Sequence, residues 1–343
     1  LGPVSFLLLG KEKEAGFDRI DLIKNLLPVY FQILDKLVEH GVEWVQFDEP
    51  FLAMNLSTKE KEAFQTVYSQ IRKKYPHLKT LLATYFGGLY ENISVATSLL
   101  VCCLHVDLVR CPEQLNELLE NRPKDLSISL GLIDGRNVWK NDYSNSLNLV
   151  QKALRKVDPE KLFIAPSCSL LHSPCDLDSE LKLDKDIKSW LSFAKQKLVE
   201  ISDLKQLAKS VNVQSANGLE SFGNGFSDIF NKNQVAISNR SNSTLIHKNE
   251  VKKRLNNVLD SDFERKSSFQ DRKIVQAELL NLPLYPTTTI GSFPQTKEVR
   301  KVRADFKNGR INKQKYEQFI KDETEKTIRI QEEIGLDVLV HGE

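Results

Sequence analysis

The chain is predicted to be an α/β protein: a parallel sheet with helices packed outside it, followed by the opening of a second α/β unit. Three observations predict this. Short apolar runs alternate with longer stretches of helical periodicity from Val4 to Ala208. A further apolar run, helical stretch and apolar run follow between Pro286 and Val340. Polar residues gather just after the runs, at the carboxyl ends of the expected strands, where open sheets and barrels place their sites.

Taken in order, Leu1 to Leu9 is apolar but far shorter than the ~20 residues that span a bilayer. It lacks a basic leader and a cleavage site, and Val4 to Leu9 is expected to be a buried strand. Five more strands are expected at Val42 to Phe47, Thr80 to Ala83, His105 to Val109, Ser127 to Leu132 and Leu162 to Ala165. Helices are expected near Asp21 to Glu39, Thr58 to Lys74, Ile93 to Leu100, Pro112 to Leu119, Ser144 to Lys156 and Asp186 to Ala208. Six strands, each followed by a helix, would close into a (β/α)8 barrel if two more strands were supplied. These elements make residues 1–210 one domain.

From 211 to 248 the composition changes. Asn212, Gln214, Ser215, Asn217, Asn224, Asn231, Asn233, Asn239, Ser241, Asn242 and Ser243 dilute the apolar residues, so this segment is expected to be a flexible surface excursion. Residues 249–283 are charged and helical by pattern, which suits a linker. Residues 284–343 hold a β-α-β unit: a run up to Ile290 that breaks at Gly291-Ser292, a helix from Lys313 to Ile334, and a run from Leu336 to Val340 that stops at His341-Gly342-Glu343.

Composition narrows the function. At 343 residues the prior is two domains or one large barrel, and 41% hydrophobic with 27% charged residues can bury a sizeable core. A net charge of +2, from 48 basic and 46 acidic residues, gives no electrostatic reason for nucleic acid or a membrane surface. Five cysteines without a C-x-x-C pair suggest neither a disulfide framework nor a four-cysteine zinc module, and they point to the cytosol. Both ends look cut, since Met54 is the only Met and Glu343 follows directly on an apolar run.

The residues just after the expected strands of the first domain are Lys11, Asp48, Glu49, Thr84, Tyr85, Arg110, Asp134, Arg136, Ser167, Cys168 and His172. They could form a site, or they could cap helices and pair across the barrel mouth. Asp48-Glu49-Pro50 reads as structural, because a strand-end Asp turns the chain and Pro50 breaks the strand. Cys168 and His172 are zinc-ligand types. Zinc needs three or four ligands converging, however, and the slot after Ala83 holds Thr84-Tyr85-Phe86. Cys102, Cys103 and Cys111 read as buried apolar residues beside His105. No G-x-G-x-x-G, Walker loop or H-E-x-x-H occurs. At the far end, Gly291-Ser292 exposes backbone N–H groups and a hydroxyl where a small ligand could be held, and Glu343 stands at the end of the other run, while His341 reads as a packing residue. The competing reading makes Gly291-Ser292 a plain turn and Glu343 a surface residue.

Pro286 to Thr296 with Val338 to Glu343 resembles the start of the catalytic barrel of the cobalamin-independent methionine synthases. Leu1 to Phe6, Gln46 to Pro50, Asp134-Gly135-Arg136 and Ala165 to Pro174 resemble that family's amino-terminal barrel, in the family's order. The resemblance implies a two-barrel TIM-barrel protein, here a truncated first barrel plus the first β-α-β unit of the second. It implies a zinc-dependent methyltransferase of methionine biosynthesis, moving a methyl group from 5-methyltetrahydropteroyl-polyglutamate to homocysteine without cobalamin. Ile290, Gly291, Ser292 and Glu343 would then bind homocysteine or methionine. The family's zinc ligands, proton donor and folate-stacking residues would lie beyond Glu343, so no catalytic residue and no metal site is expected here. The resemblance thus implies a cytoplasmic, monomeric protein that binds no nucleic acid and no membrane, and a fragment inactive alone. The rival readings are a non-catalytic barrel scaffold and a corrinoid-linked or decarboxylase-type barrel enzyme.

Overall fold

Apolar runs at five places become strands of one parallel sheet: β1 (Trp44–Asp48), β2 (Lys79–Ala83), β3 (Cys103–Asp107), β4 (Ser127–Ile133) and β5 (Leu162–Pro166). The computed structural model describes residues 1–209 and 226–341. The strands lie in sequence order, each hydrogen-bonded to the next. That order winds one way only, as a barrel wall does, whereas a doubly wound sheet reverses. In a flat sheet the outer strands would stand about 19 Å apart. Here the ring of Trp44 on β1 meets that of Phe163 on β5 edge to face, with centroids 6.1 Å apart. The sheet is therefore strongly curled, an arc of a barrel.

Helices cover the outside: α1 (Pro3–Leu8), α2 (Ile23–Glu39), α3 (Thr58–Lys74), α4 (Ile93–Ser98), α5 (Gln114–Asn121), α6 (Tyr143–Leu154), α7 (Lys185–Ser189), α8 (Ala194–Ala208) and α9 (Phe226–Asn242). Local rules set their limits. Ser57 and Glu60 form a capping box that starts α3, and Arg72, Lys73 and Lys74 suit its negative end. Its buried stripe of Ala63, Phe64, Val67, Tyr68 and Ile71 joins the main core with Leu82, Leu104, Ile128 and Leu130 from the strands. All five residues of β3 are buried, as a parallel strand covered on both faces requires. At Gly131 a Cβ would sit 2.7 Å from the Val106 carbonyl and 2.9 Å from His105 Cε1, so only glycine lets β3 and β4 lie this close.

Three expectations for the first unit are corrected. The helix expected over Asp186 to Ala208 is broken between α7 and α8, where Leu191 forms a bridge with Trp139. Val4 to Leu9, expected as a strand, lies in helix α1 and its C-cap. A short apolar run fits either state. Pro3 opens the helix, and Val4, Leu7 and Leu8 face inward at helical spacing while Phe6 and Leu9 are exposed. Residues 226–242, expected to be flexible, form α9. Ile229 and Phe230 pack on the cluster of Ile133, Tyr143, Leu147, Leu204 and Leu207. The buried Asn233 side chain accepts from Tyr143 N at 3.1 Å and donates to Asn141 O at 2.7 Å. Asn residues that looked like dilution thus include an interface residue. The expectation for 210–225 lies outside the described residues.

Residues 1–248 form one compact unit and 249–343 another. The second holds α10 (Asn249–Asn256), α11 (Phe269–Leu280), α12 (Lys297–Lys307) and α13 (Lys313–Ile334). The two strands expected to flank α13 are not formed among the described residues. Instead, Val338 N donates to Thr287 O at 3.0 Å, and the Asp337 carboxylate accepts from both the N–H and the hydroxyl of Thr287 at 2.7 Å. The segments lie side by side without a ladder, because an isolated strand pair is marginal without further strands or a covered face. Among the described residues, no helix of either unit is long and apolar enough to cross a membrane.

Candidate functional site

In the first unit the strand ends converge on a polar mouth, and nearly every group in it is already engaged. Glu49 is fully buried and accepts from Ser5 N at 2.7 Å, Val4 N at 3.3 Å and Tyr68 OH at 2.8 Å. Burial pushes its carboxyl up, against the pull of those donors. It holds the start of α1, and a Cβ on Gly2 would fall 2.1 Å from its Oε1. Asp48 accepts from Gln46 Nε2 at 2.7 Å and Tyr85 OH at 3.2 Å. Burial raises that phenol to about 12. Thr84 is buried, with its hydroxyl on His105 O at 2.8 Å.

Arg110 and Asp134 form a forked pair at 2.9 and 3.4 Å. Burial alone would raise the Asp134 carboxyl. Arg110 and the Arg136 N–H, which donates at 2.8 Å, outweigh it and hold the carboxyl below its ordinary value. The Arg136 guanidinium lies 4.6 Å over the Phe86 ring, and His172 meets the same ring at 5.7 Å. Ser167 is buried and its hydroxyl accepts from Gly135 N at 3.3 Å. Lys11 stands apart, exposed on the loop after α1.

Three residues of this mouth were missed from sequence. Asp107 is buried and its carboxylate accepts from Phe86 N at 3.1 Å, Val109 N at 3.0 Å and Arg110 N at 2.9 Å, so it ties two strand-end loops together. Phe86 takes a positive φ of 72° within that arrangement. Lys197 on α8 is fully buried, with Nζ donating to Trp139 O at 3.1 Å, and burial lowers its pKa. An acid inside the apolar run His105 to Val109 was the signal for Asp107. Nothing in the local sequence marks the other two.

The zinc implied by the resemblance does not fit the residues described. Among them, no group of three or more His, Cys, Asp or Glu could hold a metal. Burial raises the Cys168 thiol, and His172 meets the Phe86 ring edge to face, so the two belong to no converging set of ligands among the described residues.

In the second unit, Ser292 and His341 line one cleft of about 400 Å3, together with Phe293, Arg303, Glu323 and Thr327. The Thr287–Asp337 clamp lies between the two segments that carry Ser292 and His341. His341, expected to be a packing residue, is exposed on this cleft. The Ile290 side chain is fully exposed and Gly291 has open space where a Cβ would stand. Glu343 lies outside the described residues. The structure thus gathers one of the four expected binding residues into a cleft, leaves two at the surface and does not describe the fourth.

Comparison with known proteins follows the same division. The family described as "Cobalamin-independent synthase, N-terminal domain" matches residues 1–158, and "Cobalamin-independent synthase, Catalytic domain" matches residues 285–343. A 5-methyltetrahydropteroyltriglutamate–homocysteine methyltransferase of Flavobacterium johnsoniae is 51% identical over 348 positions, covering 100% of this chain and 44% of the relative. The like-named protein of Cytophaga hutchinsonii is 50% identical, with the same coverage. The chain therefore spans less than half the length of these curated relatives. A solved structure titled as a putative vitamin-B12 independent methionine synthase from Listeria monocytogenes aligns with a TM-score of 0.37 at 17% identity, over 43% of this chain and 48% of that one.

Proposed function

The chain belongs to the cobalamin-independent methionine synthase family, and on that premise we propose that it forms part of an enzyme that methylates homocysteine. The methyl group would leave N5 of a 5-methyltetrahydropteroyl-polyglutamate, and the product would be methionine. One observation carries this reading: the family's two domains match in order, at the two ends of a chain about half identical to the named methyltransferases throughout.

Within that reading the first unit is scaffold. Its mouth carboxylates are committed to helix starts, loop N–H groups and Arg110, which leaves no free acid–base pair among the residues expected there. The second unit begins the amino-acid pocket. The Ser292 hydroxyl and the Gly291 N–H would donate to the α-carboxylate of homocysteine, and Glu343 would accept from its ammonium. Methyl transfer needs a thiolate to attack carbon while the departing nitrogen gains a proton. Zinc would supply the thiolate, but with no fitting donor set described here, thiol activation is not assigned to this chain. The chain alone is therefore proposed to be inactive, and to be a cytosolic monomer that binds neither nucleic acid nor membrane.

The test is a chimera in which this chain replaces the matched segment of the Flavobacterium johnsoniae relative. With homocysteine, 5-methyltetrahydropteroyltriglutamate and zinc, chromatography should show methionine from the chimera and none from the chain alone. Ser292→Ala in the chimera should raise the homocysteine KM on the order of tenfold, the usual loss for a hydrogen bond to a charged group. A folded chimera that forms no methionine would overturn the proposal.

A further inference from the structure

Beside the mouth of the first unit, between α6, the last turn of α9 and the loop after β4, lies a cleft of about 560 Å3. That size falls within the range of roughly 300–1,000 Å3 usual for small-molecule sites. The acids in its wall are engaged. Asp134 accepts from Arg110 at 2.9 Å, Arg136 N at 2.8 Å and Asn137 Nδ2 at 2.7 Å. Asp142 caps α6 by accepting from Ser144 N at 3.0 Å, and it also accepts from Asn145 Nδ2 at 2.9 Å and Gln234 Nε2 at 3.2 Å.

The cations in the same wall are not engaged. Arg240, Lys140 and Lys152 line the cleft, and none of the three has a side-chain hydrogen bond or an ion pair among the described residues. Lys140 acts at longer range on the Glu200 carboxylate, which leaves Arg240 and Lys152. Lys152 alone would signify little, because an exposed lysine on a helix is satisfied by water. Arg240 differs in being held. Its guanidinium lies 3.6 Å over the Trp139 ring, so the indole covers one face and orders the side chain before any ligand arrives. Burial lowers its pKa, and no neighbouring acid raises it back. A guanidinium laid flat on a ring keeps its N–H fork free in the plane, and that fork matches the two oxygens of one carboxylate. Pro112, Leu132 and Leu149 supply apolar wall, which suits a carbon skeleton better than a bare inorganic ion.

We propose that this cleft binds a small dicarboxylate, with one carboxylate in the plane of the Arg240 fork, the other toward Lys152, and the carbon chain against Leu132 and Leu149. The site is separate from the homocysteine pocket proposed for the second unit and does not depend on that reading.

Calorimetric titration of the full chain with succinate, glutarate and adipate tests it, with propionate and inorganic phosphate as controls. At least one dicarboxylate should bind with millimolar or tighter Kd, on the order of tenfold tighter than either control. Arg240→Met, shown to be folded by its melt, should weaken that binding by a similar factor. Lys152→Met, on the exposed side of α6, should weaken it several-fold. Ser292→Ala should leave it unchanged, which separates this site from the other. Phosphate binding as tightly as the dicarboxylates would overturn the proposal by making the cleft a site for an adventitious ion only. Dicarboxylates binding no better than propionate would overturn it as well, as would full binding by Lys152→Met or by a folded Arg240→Met. Binding lost only in Ser292→Ala would assign the ligand to the second unit and equally sink the idea.

Discussion

At the scale of single residues, the site of the first unit is a set of buried polar groups whose charges are fixed by their neighbours. His105 shows how. Its Nε2 faces the Ser167 carbonyl at 3.4 Å and so carries the proton, which leaves Nδ1 to accept from the Ser129 hydroxyl at 2.9 Å. Burial holds the ring's pKa below its ordinary 6.5, so the folded protein keeps it neutral. On acidification the unfolded chain takes up this proton first. The stability His105 contributes is therefore complete above about pH 6.5 and is lost as pH falls through 6.5 toward the lower folded value. Glu49 acts in the other direction, because its raised pKa makes stability fall as pH rises from its ordinary 4.5. Comparison with His105→Gln isolates the imidazole. The stability advantage of the native chain over this variant, from urea melts, should shrink between pH 7 and pH 5. An advantage constant across that range would rule the account out.

At the scale of elements, legibility followed how local the determinants are. β3, β4 and α3 were readable because their apolar spacing and caps lie within the element itself. The nature of α1 was not, since the carboxylate that accepts its Val4 and Ser5 N–H groups stands more than forty positions along the chain. The same holds for α9, anchored through Asn233 on Asn141 and Tyr143 some ninety positions away. Among the site residues, pairing across the mouth was foreseen as one alternative, without Arg110 and Asp134 being matched, whereas the loop-tying role of Asp107 was hidden inside an apolar run. The α1 clamp makes a direct prediction. Gly2→Ala drives a Cβ into the Glu49 carboxylate, and Glu49→Ala strands the Val4, Ser5 and Tyr68 donors. Each should cost about 1–3 kcal/mol in denaturant melts. The double variant should cost far less than the sum, because both changes remove one interaction. Strict additivity would show that Gly2 and Glu49 do not act together.

At the scale of the whole molecule, the curl of the sheet is the property that makes a mouth possible. The alternation of runs and helices predicted a parallel sheet, and the one-way strand order makes it an arc of a barrel. The Trp44–Phe163 contact between the outer strands belongs to that curvature. Trp44→Ala and Phe163→Ala should therefore be non-additive by about 1 kcal/mol, the usual coupling of an edge-to-face ring pair. Melts that give zero coupling would remove the contact from the account of the curl. The clamp on α1 also fixes an order of events. Six residues make too short a helix to persist alone in water, and the carboxylate that steadies them is in place only once β1 has joined β2. The amino-terminal turns are thus the last of that region to solidify during refolding, and a deuterium pulse given early would mark Val4 and Ser5 while β1 is already shielded.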